Sequence, residues 1–404
     1  MSSLLQLDQV PNTEQYNAPD LDMYRSRVAD LLGRGTKSFP GAQPVSFARN
    51  HLQELQRQDY YLCEKTDGIR CLLYLTYFAG DIPEHDQEAH FLIDRKNHYY
   101  EIRNEAFHFP IPEQGDQSFH RETLLDGELV QDNIDGRLVP RYLIFDCLAV
   151  DGRSLVERTL DKRLGQCAQN VLRPYHDLLR RYPQERENQP FEVTMKKMEK
   201  AYGIEMMFRE VLPKLKHGND GLIFTCRMAP YTMGTDQHII KWKPPHENTI
   251  DFRLQLGLFP EHDGGPDYDA CPEFDLLVFH GGGRNEKFAP LYVTDDEWES
   301  MKRMEEMLDG RIIECYKDEQ GRWRYKREPD GSPRFRDDKT EANHISTVKS
   351  VLESIDDAIS EQDLLNAAKA INVAWKKREA EEKEAQRRQM EEHQRMKHAQ
   401  YGRQ

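Results

Sequence analysis

The stretch YLCEKTDGIRCLLY, residues 61–74, decides how this chain is read. Tyr60, Tyr61 and Leu62 lead in and Cys71 to Leu75 lead out, as in a pair of strands. Between them stand Lys65, Asp67, Gly68 and Arg70. Strand interiors disfavour Asp and Gly, and a lysine is rarely buried without a partner. A lysine ammonium is a poor nucleophile, but nearby cations and partial desolvation lower its pKa until the free amine attacks. A single K-x-D-G is therefore either a solvated turn between strands or a reactive lysine at a strand end, and the rest of the chain must decide.

The chain has 404 residues, enough for two domains with their own cores and a tail. Its 38% hydrophobic and 31% charged content fits a soluble globular protein with polar segments. No run approaches the ~18 apolar residues of a membrane span. MSSLLQLDQVPNTEQYNAPD lacks a basic region followed by a long apolar stretch, so a secretory leader is not expected. The seven cysteines show no C-x-x-C spacing, which argues against a zinc site or a disulfide scaffold and for a reducing compartment. A net charge of -15 speaks against nonspecific coating of nucleic acid, so any RNA contact should be local.

Strands are expected at 60–64, 69–78, 91–95, 123–130, 141–149, 221–226 and 238–242, each bounded by Gly, Pro, Asp or Asn. Helical spacing runs through 158–182 and 196–212. After KWKPPHENT the texture changes to short strand-like pieces: DFRLQLGLF, EFDLLVFH, PLYV, RIIECYK and RWRYKRE. Five short strands in this span suit a small barrel, the OB-fold among them. The loop EHDGGPDYDACPE is acidic, turn-rich and expected at the surface. Val348, Val351, Leu352, Ile355 and Ile359, then Leu364, Leu365, Ala368, Ile371 and Trp375, form apolar stripes of docking helices, with Ser360 and Asp363 placed like a capping box. Beyond Trp375 the chain is nearly all charged or polar, a solvated helix or frayed tail.

Five further stretches bear on chemistry. In LLDGELV, 124–130, strand alternation puts Asp126 and Glu128 on one face, suited to a divalent cation or a ribose hydroxyl, or simply to a polar edge. RYLIFDCLAVDG, 141–152, is the apolar run of a strand buried on both faces, where Phe145 reads as core. DGLIFTC, 220–226, again sets a carboxylate at the mouth of an apolar strand. In HIIKWKPP, 238–245, Lys241 and Lys243 share a face opposite Trp242; paired lysines repel unless an anion lies between them, so a phosphate explains them best. PRFRDDKTEANH, 333–344, sets Arg334, Arg336 and Lys339 beside Asp337 and Asp338, as a solvated loop or a triphosphate-binding segment. No Walker A or Gly-rich dinucleotide loop accounts for phosphate binding instead.

KTDGIR, DGELV, RYLIFDCLA, DGLIF, IIKWKP and RFRDDK, in this order, resemble the signature motifs of the covalent nucleotidyltransferases, and most closely the mRNA guanylyltransferases (capping enzymes) of the fungal single-activity type. The resemblance covers roughly residues 40 to 355, and KWKPPHENTIDF and RFRDDKTEANH set it apart from the ATP-dependent ligases. It implies an α+β fold: a nucleotidyltransferase domain with antiparallel sheets and helices over 1–243, an OB-fold domain over 244–345, C-terminal helices over 346–375 and a charged helical or disordered tail over 376–404.

By the same resemblance Lys65 is the nucleophile that attacks the α-phosphate of GTP and forms a lysyl-GMP phosphoramidate, which the 5′-diphosphate end of nascent RNA then takes as GpppRNA. Arg70 and Arg95 are expected to hold ribose and phosphates, Asp126, Gly127 and Glu128 to face the sugar, and Phe145 and Ile223 to sandwich the guanine. Lys241, Trp242 and Lys243 belong to the α-phosphate segment, and Arg336, Asp337, Asp338 and Lys339 to a second-domain motif that orients pyrophosphate when that domain closes. Glu128 and Asp220 are the expected carboxylates for Mg²⁺ or Mn²⁺. No cysteine stands in the about forty residues ahead of the transferase region, so no Cys-x₅-Arg phosphatase loop occurs there and a separate RNA 5′-triphosphatase subunit is implied. Binding to the phosphorylated tail of RNA polymerase II and a nuclear location follow from the family alone. Two rival readings are an ATP-dependent polynucleotide ligase, separated by nucleotide preference, and a noncatalytic adaptor on the transcription machinery, separated by labelling of Lys65.

Overall fold

The structure, a computed structural model, describes residues 6–82, 85–244, 247–318, 320–328, 330–337 and 339–401. The chain forms two compact units, one of residues 1–46, 50–242 and 362–404 and the other of 47–49 and 243–361. The fold is α+β in both.

The larger unit holds two sheets. The first runs β1 (Thr13–Gln15), β6 (Tyr99–Ile102), β5 (Gln87–Asp94), β4 (Ile69–Phe78), β7 (Thr123–Ile134), β8 (Arg137–Val150), β10 (Glu192–Met195), with β9 (Arg153–Ser154) paired to β8. The second runs β11 (Glu199–Lys200), β3 (Tyr60–Thr66), β12 (Asn219–Cys226), β13 (Gly234–Trp242), β2 (Ala42–Ser46). Pairing is antiparallel except for β8 with β10 and β2 with β13, which are parallel and so depart from the antiparallel expectation. The apolar run of β4 explains its place mid-sheet: Cys71, Leu73 and Leu75 enter one core cluster while Leu72 and Tyr74 enter the other.

The paired strands expected around Lys65 do not form a hairpin. β3 and β4 belong to different sheets, and Asp67 and Gly68 carry the chain from one to the other. The Asp67 amide donates to the Gly218 carbonyl (3.0 Å), and the Gly68 amide to Glu128 Oε1 (3.2 Å). A Cβ on Gly68 would lie 2.5 Å from the Leu129 carbonyl oxygen, so only glycine permits this crossing.

Helical spacing over 158–182 corresponds to a helix at Leu160–Gln166, a wider turn at Cys167–Leu172 and a helix at Arg173–Arg181. The 196–212 helix is shorter than its pattern: β11 takes Glu199–Lys200, and short helical turns follow only from Ala201 to Lys214.

The smaller unit is a five-stranded sheet in the order β18 (Asn285–Pro290), β17 (Phe274–Phe279), β14 (Ile250–Leu256), β19 (Ile312–Lys317), β20 (Trp323–Tyr325). A parallel bridge from Leu291 to Trp323 joins the two edges, which gives the partly open barrel that five short strands were expected to form. The third strand is NEKFAP rather than PLYV. The acidic loop holds a small exposed hairpin of β15 (Glu261–His262) and β16 (Gly265–Pro266). A helix at Asp295–Lys302 begins with a capping box of Thr294 and Glu297.

The C-terminal stripes separate between the units. Val348 is fully buried in the core of the smaller unit, on the helix Ile345–Asp356. The helix Glu361–Tyr401 joins the larger unit from Gln362 onward, burying Leu364, Ile371 and Trp375. Trp375 packs against Tyr61 of β3 (6.2 Å between centroids) and edge-on against Tyr202 (5.8 Å). Docking continues past Trp375, where the charged tail was expected to begin: Arg378 pairs with buried Asp59 (2.7 Å), and Glu382 with Arg227 (2.7 Å).

Candidate active site

Lys65 is the last but one residue of β3, and alternation turns its side chain to the same face as Cys63. Its Nζ lies 2.6 Å from Asp220 Oδ1, at the start of β12, where the β3–β12 register shifts between Asn219 and Leu222. Lys65 and Cys63 line a cavity of about 110 Å³ within the larger unit. Of the residues expected at the site, Arg70, Arg95, Asp126, Glu128, Phe145 and Ile223 line the same cavity. One motif lysine and six residues scattered over some 160 positions of sequence thus converge.

Arg70 sits on β4 with its guanidinium 5.3 Å from the centre of the Phe145 ring. Its Nε and Nη2 donate to Asp126 Oδ1 (3.1 Å) and Oδ2 (2.7 Å), Nη1 to the Ala42 carbonyl, and Nη2 also to the Tyr231 hydroxyl (3.4 Å). Burial works against its charge, but Asp126, Tyr231 and Glu128 hold its pKa above the ordinary arginine value. Of five N–H donors, four are engaged, which leaves one for a ligand.

Two expected sugar contacts have other work. Asp126 is fully buried: both its oxygens hold Arg70, and Oδ2 also accepts from the Tyr231 hydroxyl (2.6 Å). At the cavity wall it holds the Arg70 guanidinium in place. Gly127 backs onto the core, where a Cβ would meet the Tyr142 ring at 2.5 Å. Tyr142 is itself fully buried and donates its hydroxyl to the Cys71 carbonyl (2.8 Å). Gly127→Ala should therefore lower stability by about 1–3 kcal/mol through overpacking, measured as a lower urea midpoint at unchanged slope. An unchanged midpoint would show that the Tyr142 ring yields freely.

Glu128 accepts from the Thr66 hydroxyl and the Gly68 amide, so both its oxygens serve the β3–β4 crossing. Ile223 pairs in register with Lys241 across β12 and β13, and Lys241 alternates with Ile239, another cavity residue. Trp242 points the other way, buried edge-on against Phe208 (5.4 Å). It is a core residue and not a nucleotide contact, because the strand alternation that brings Lys241 to one face sends Trp242 to the other. Lys243 begins the smaller unit.

The second-domain motif is engaged within its own unit. Arg336 and Lys339 both pair with buried Asp251, the first at 3.3 Å. Asp337 accepts from Arg311 Nη2 (2.7 Å) and Nε (3.2 Å), a partner within the same unit. Asp338 lies outside the described residues.

Three contributors went unread in the sequence. Lys196 is buried at the cavity wall, its Nζ donating to Thr66 Oγ1 (2.7 Å) and standing 3.9 Å from Glu128 Oε2. The alternation of Phe191 and Val193 marks a strand ending just before it, a signal outweighed by the helical spacing that begins at 196. Thr66 lies inside the quoted motif, and Tyr231 stands in a loop with no pattern of its own.

Comparison with known proteins agrees with this constellation. Residues 5–245 match the family described as mRNA capping enzyme, catalytic domain, and residues 247–365 match mRNA capping enzyme, C-terminal domain. The chain is 51% identical over 383 residues to the mRNA-capping enzyme subunit alpha of Neurospora crassa, covering 89% of this chain and 92% of that protein. It is 46% identical over 359 residues to the subunit of that name in Schizosaccharomyces pombe, covering 88% of this chain and 86% of the other. In Saccharomyces cerevisiae the identity is 39% over 398 residues, covering 87% and 84%. A motif lysine at the mouth of a cation-walled cavity, and homology along both units, carry one conclusion: this chain belongs to the mRNA capping enzyme family and is a guanylyltransferase.

Proposed function

We propose that this enzyme transfers GMP from GTP to the 5′-diphosphate end of nascent RNA through Lys65. The observation that carries the reading is Lys65 at the edge of a cavity walled by Phe145, Ile223 and the cations Arg70 and Lys196. In the first step the neutral Lys65 amine attacks the α-phosphorus; an N–P bond forms and the P–O bond to pyrophosphate breaks. In the second, a β-phosphate oxygen of the RNA end attacks the same phosphorus and the N–P bond breaks, with a proton returned to Lys65. Asp220, 2.6 Å from Nζ, is the carboxylate placed to hold the Lys65 proton between the steps. Arg70, Arg95, Lys241 and Lys243 are assigned to the phosphates, and Phe145 and Ile223 to the two faces of the base.

The donor set bears on the metal. Among the described residues no group of three or more His, Cys, Asp or Glu side chains is arranged to hold an ion. That suits Mg²⁺ or Mn²⁺ held by one or two carboxylates together with substrate phosphates. Glu128, which lines the cavity, and Asp220, which neighbours Lys65 Nζ, are the carboxylates assigned to that role. Bound there, the ion would neutralise triphosphate charge.

Lys196 supports guanine over adenine. A buried ammonium offers donors only, which match the guanine 6-carbonyl and oppose the adenine 6-amino group. In a labelling assay with α-labelled GTP or ATP, wild type should accept label from GTP alone. Lys196→Met should weaken GTP labelling by roughly tenfold to a hundredfold and narrow the preference over ATP. Efficient labelling of wild type from ATP would favour the ligase reading.

Arg336 and Lys339 are assigned to the departing pyrophosphate, and the barrel of the smaller unit is read as an OB-fold. The relatives' name, subunit alpha, supports a partner subunit, read as a separate RNA 5′-triphosphatase. The phosphorylated polymerase tail and a nuclear location complete the proposal. Among the described residues no helix is long and apolar enough to cross a membrane.

A further inference from the structure

Behind the nucleophile's strand lies a chain of buried charges that the transfer reaction does not use directly. His217, just ahead of β12, has a side chain 7% exposed. Its Nδ1 is 2.7 Å from Asp132 Oδ1 on β7. Its Nε2 is buried without a hydrogen-bond partner and faces Glu64 Oε1 on β3 at 3.9 Å. The same Glu64 oxygen is 3.8 Å from the Nζ of Lys196. The other Asp132 oxygen pairs with Arg141 of β8 (3.0 Å), and Lys196 also neighbours Glu128. The groups facing the imidazole are therefore two carboxylates, with Lys196 and Arg141 one step further out.

We propose that His217 is a positioning residue for the nucleotide cavity, acting through Glu64 on Lys196. The inference rests on that cavity being the GTP site. With Nδ1–H donating a hydrogen bond to Asp132 Oδ1, a second proton, on Nε2, decides what Glu64 meets. With Nε2 protonated, Glu64 is shared between two cations and Lys196 keeps its place at the cavity wall. Without it, an imidazole lone pair faces a carboxylate oxygen and, among the described residues, Lys196 is the cation left to Glu64. The ammonium is then drawn toward Glu64 and away from the base. Nucleotide affinity should accordingly fall as pH rises and Nε2 loses its proton.

The test is the half-saturating GTP concentration for lysine labelling, followed across the pH range in which the protein stays folded. Phosphate groups titrate in the same range, so the readout is the ratio between variant and wild type. His217→Gln should require roughly tenfold more GTP than wild type at the acid end and converge with it at the alkaline end, the scale of one charge-assisted hydrogen bond. Glu64→Gln removes the carboxylate from the same relay and should also lose the pH-dependent part, which keeps the test open if His217→Gln folds poorly. A merely structural His217 would change labelling by a constant factor at every pH; parallel profiles for both variants would overturn the inference. Wild type that takes no label from GTP at any pH would overturn the capping mechanism, and this inference with it, whereas normal labelling with parallel profiles overturns this inference alone.

Discussion

Lys65→Ala is expected to take no label from α-labelled GTP, a loss of roughly 10³-fold or more, because removal of a covalent nucleophile leaves only binding and electrostatic stabilisation. Its unfolding midpoint should change little. Lys65 is part-exposed, and the partner it leaves behind, Asp220, is also part-exposed at 19%, so solvent can take over the carboxylate. Lys65→Arg is the sharper variant: it keeps a cation beside Asp220 but cannot supply a neutral amine. Both variants should still bind GTP, with affinity measured by protection against thermal unfolding. Label remaining on either variant would place the nucleophile elsewhere.

Asp126→Ala should have the largest effect on stability. It removes the two carboxylate oxygens that accept from Arg70, whose side chain is only 10% exposed, and one acceptor from the buried Tyr231 hydroxyl. An uncompensated buried guanidinium costs about 3–5 kcal/mol, a large part of a typical domain's stability of about 5–15 kcal/mol. Labelling should fall at temperatures where the variant is still folded, since Arg70 loses the clamp that aims it past Phe145. Asp126→Asn keeps the shape and one acceptor oxygen and should sit between the two. A wild-type unfolding midpoint for Asp126→Ala would mean that Arg70 finds water or another partner, and the reading of Asp126 as its clamp would fail.

Legibility in the sequence followed burial. β4 runs from Ile69 to Phe78, as its apolar pattern predicts, because a strand buried on both faces has no room for ambiguous ends. β18 escaped because NEKFAP is a part-exposed edge strand, where polar residues guard an open row of backbone groups. The helix after Thr294 carried a legible cap in T-D-D-E that the short apolar pieces around it obscured.

In the site, Lys65 and Arg70 stood out in the K-x-D-G stretch itself, whereas Phe145 read as core from its strand pattern and, like Ile223, entered only through the resemblance; all four line the cavity. Lys196, Tyr231 and His217 were not legible. Their contacts, to Thr66, Asp126 and Asp132, span between 85 and 130 positions, and no local periodicity announces them. The alternation that placed Asp126 and Glu128 on one face was sound, but it could not say that Arg70 would claim the first and the β3–β4 crossing the second. Likewise Gly127 reads as a motif glycine, while its requirement comes from the Tyr142 ring behind it.

The most direct test of the account is peptide mapping of the protein after incubation with GTP and Mg²⁺, under alkaline conditions that preserve a phosphoramidate. A GMP adduct on the peptide carrying Lys65, lost when diphosphate-ended RNA is added and recovered as the RNA cap, is the predicted result. An adduct on another residue, or bound GTP without any adduct, would contradict it.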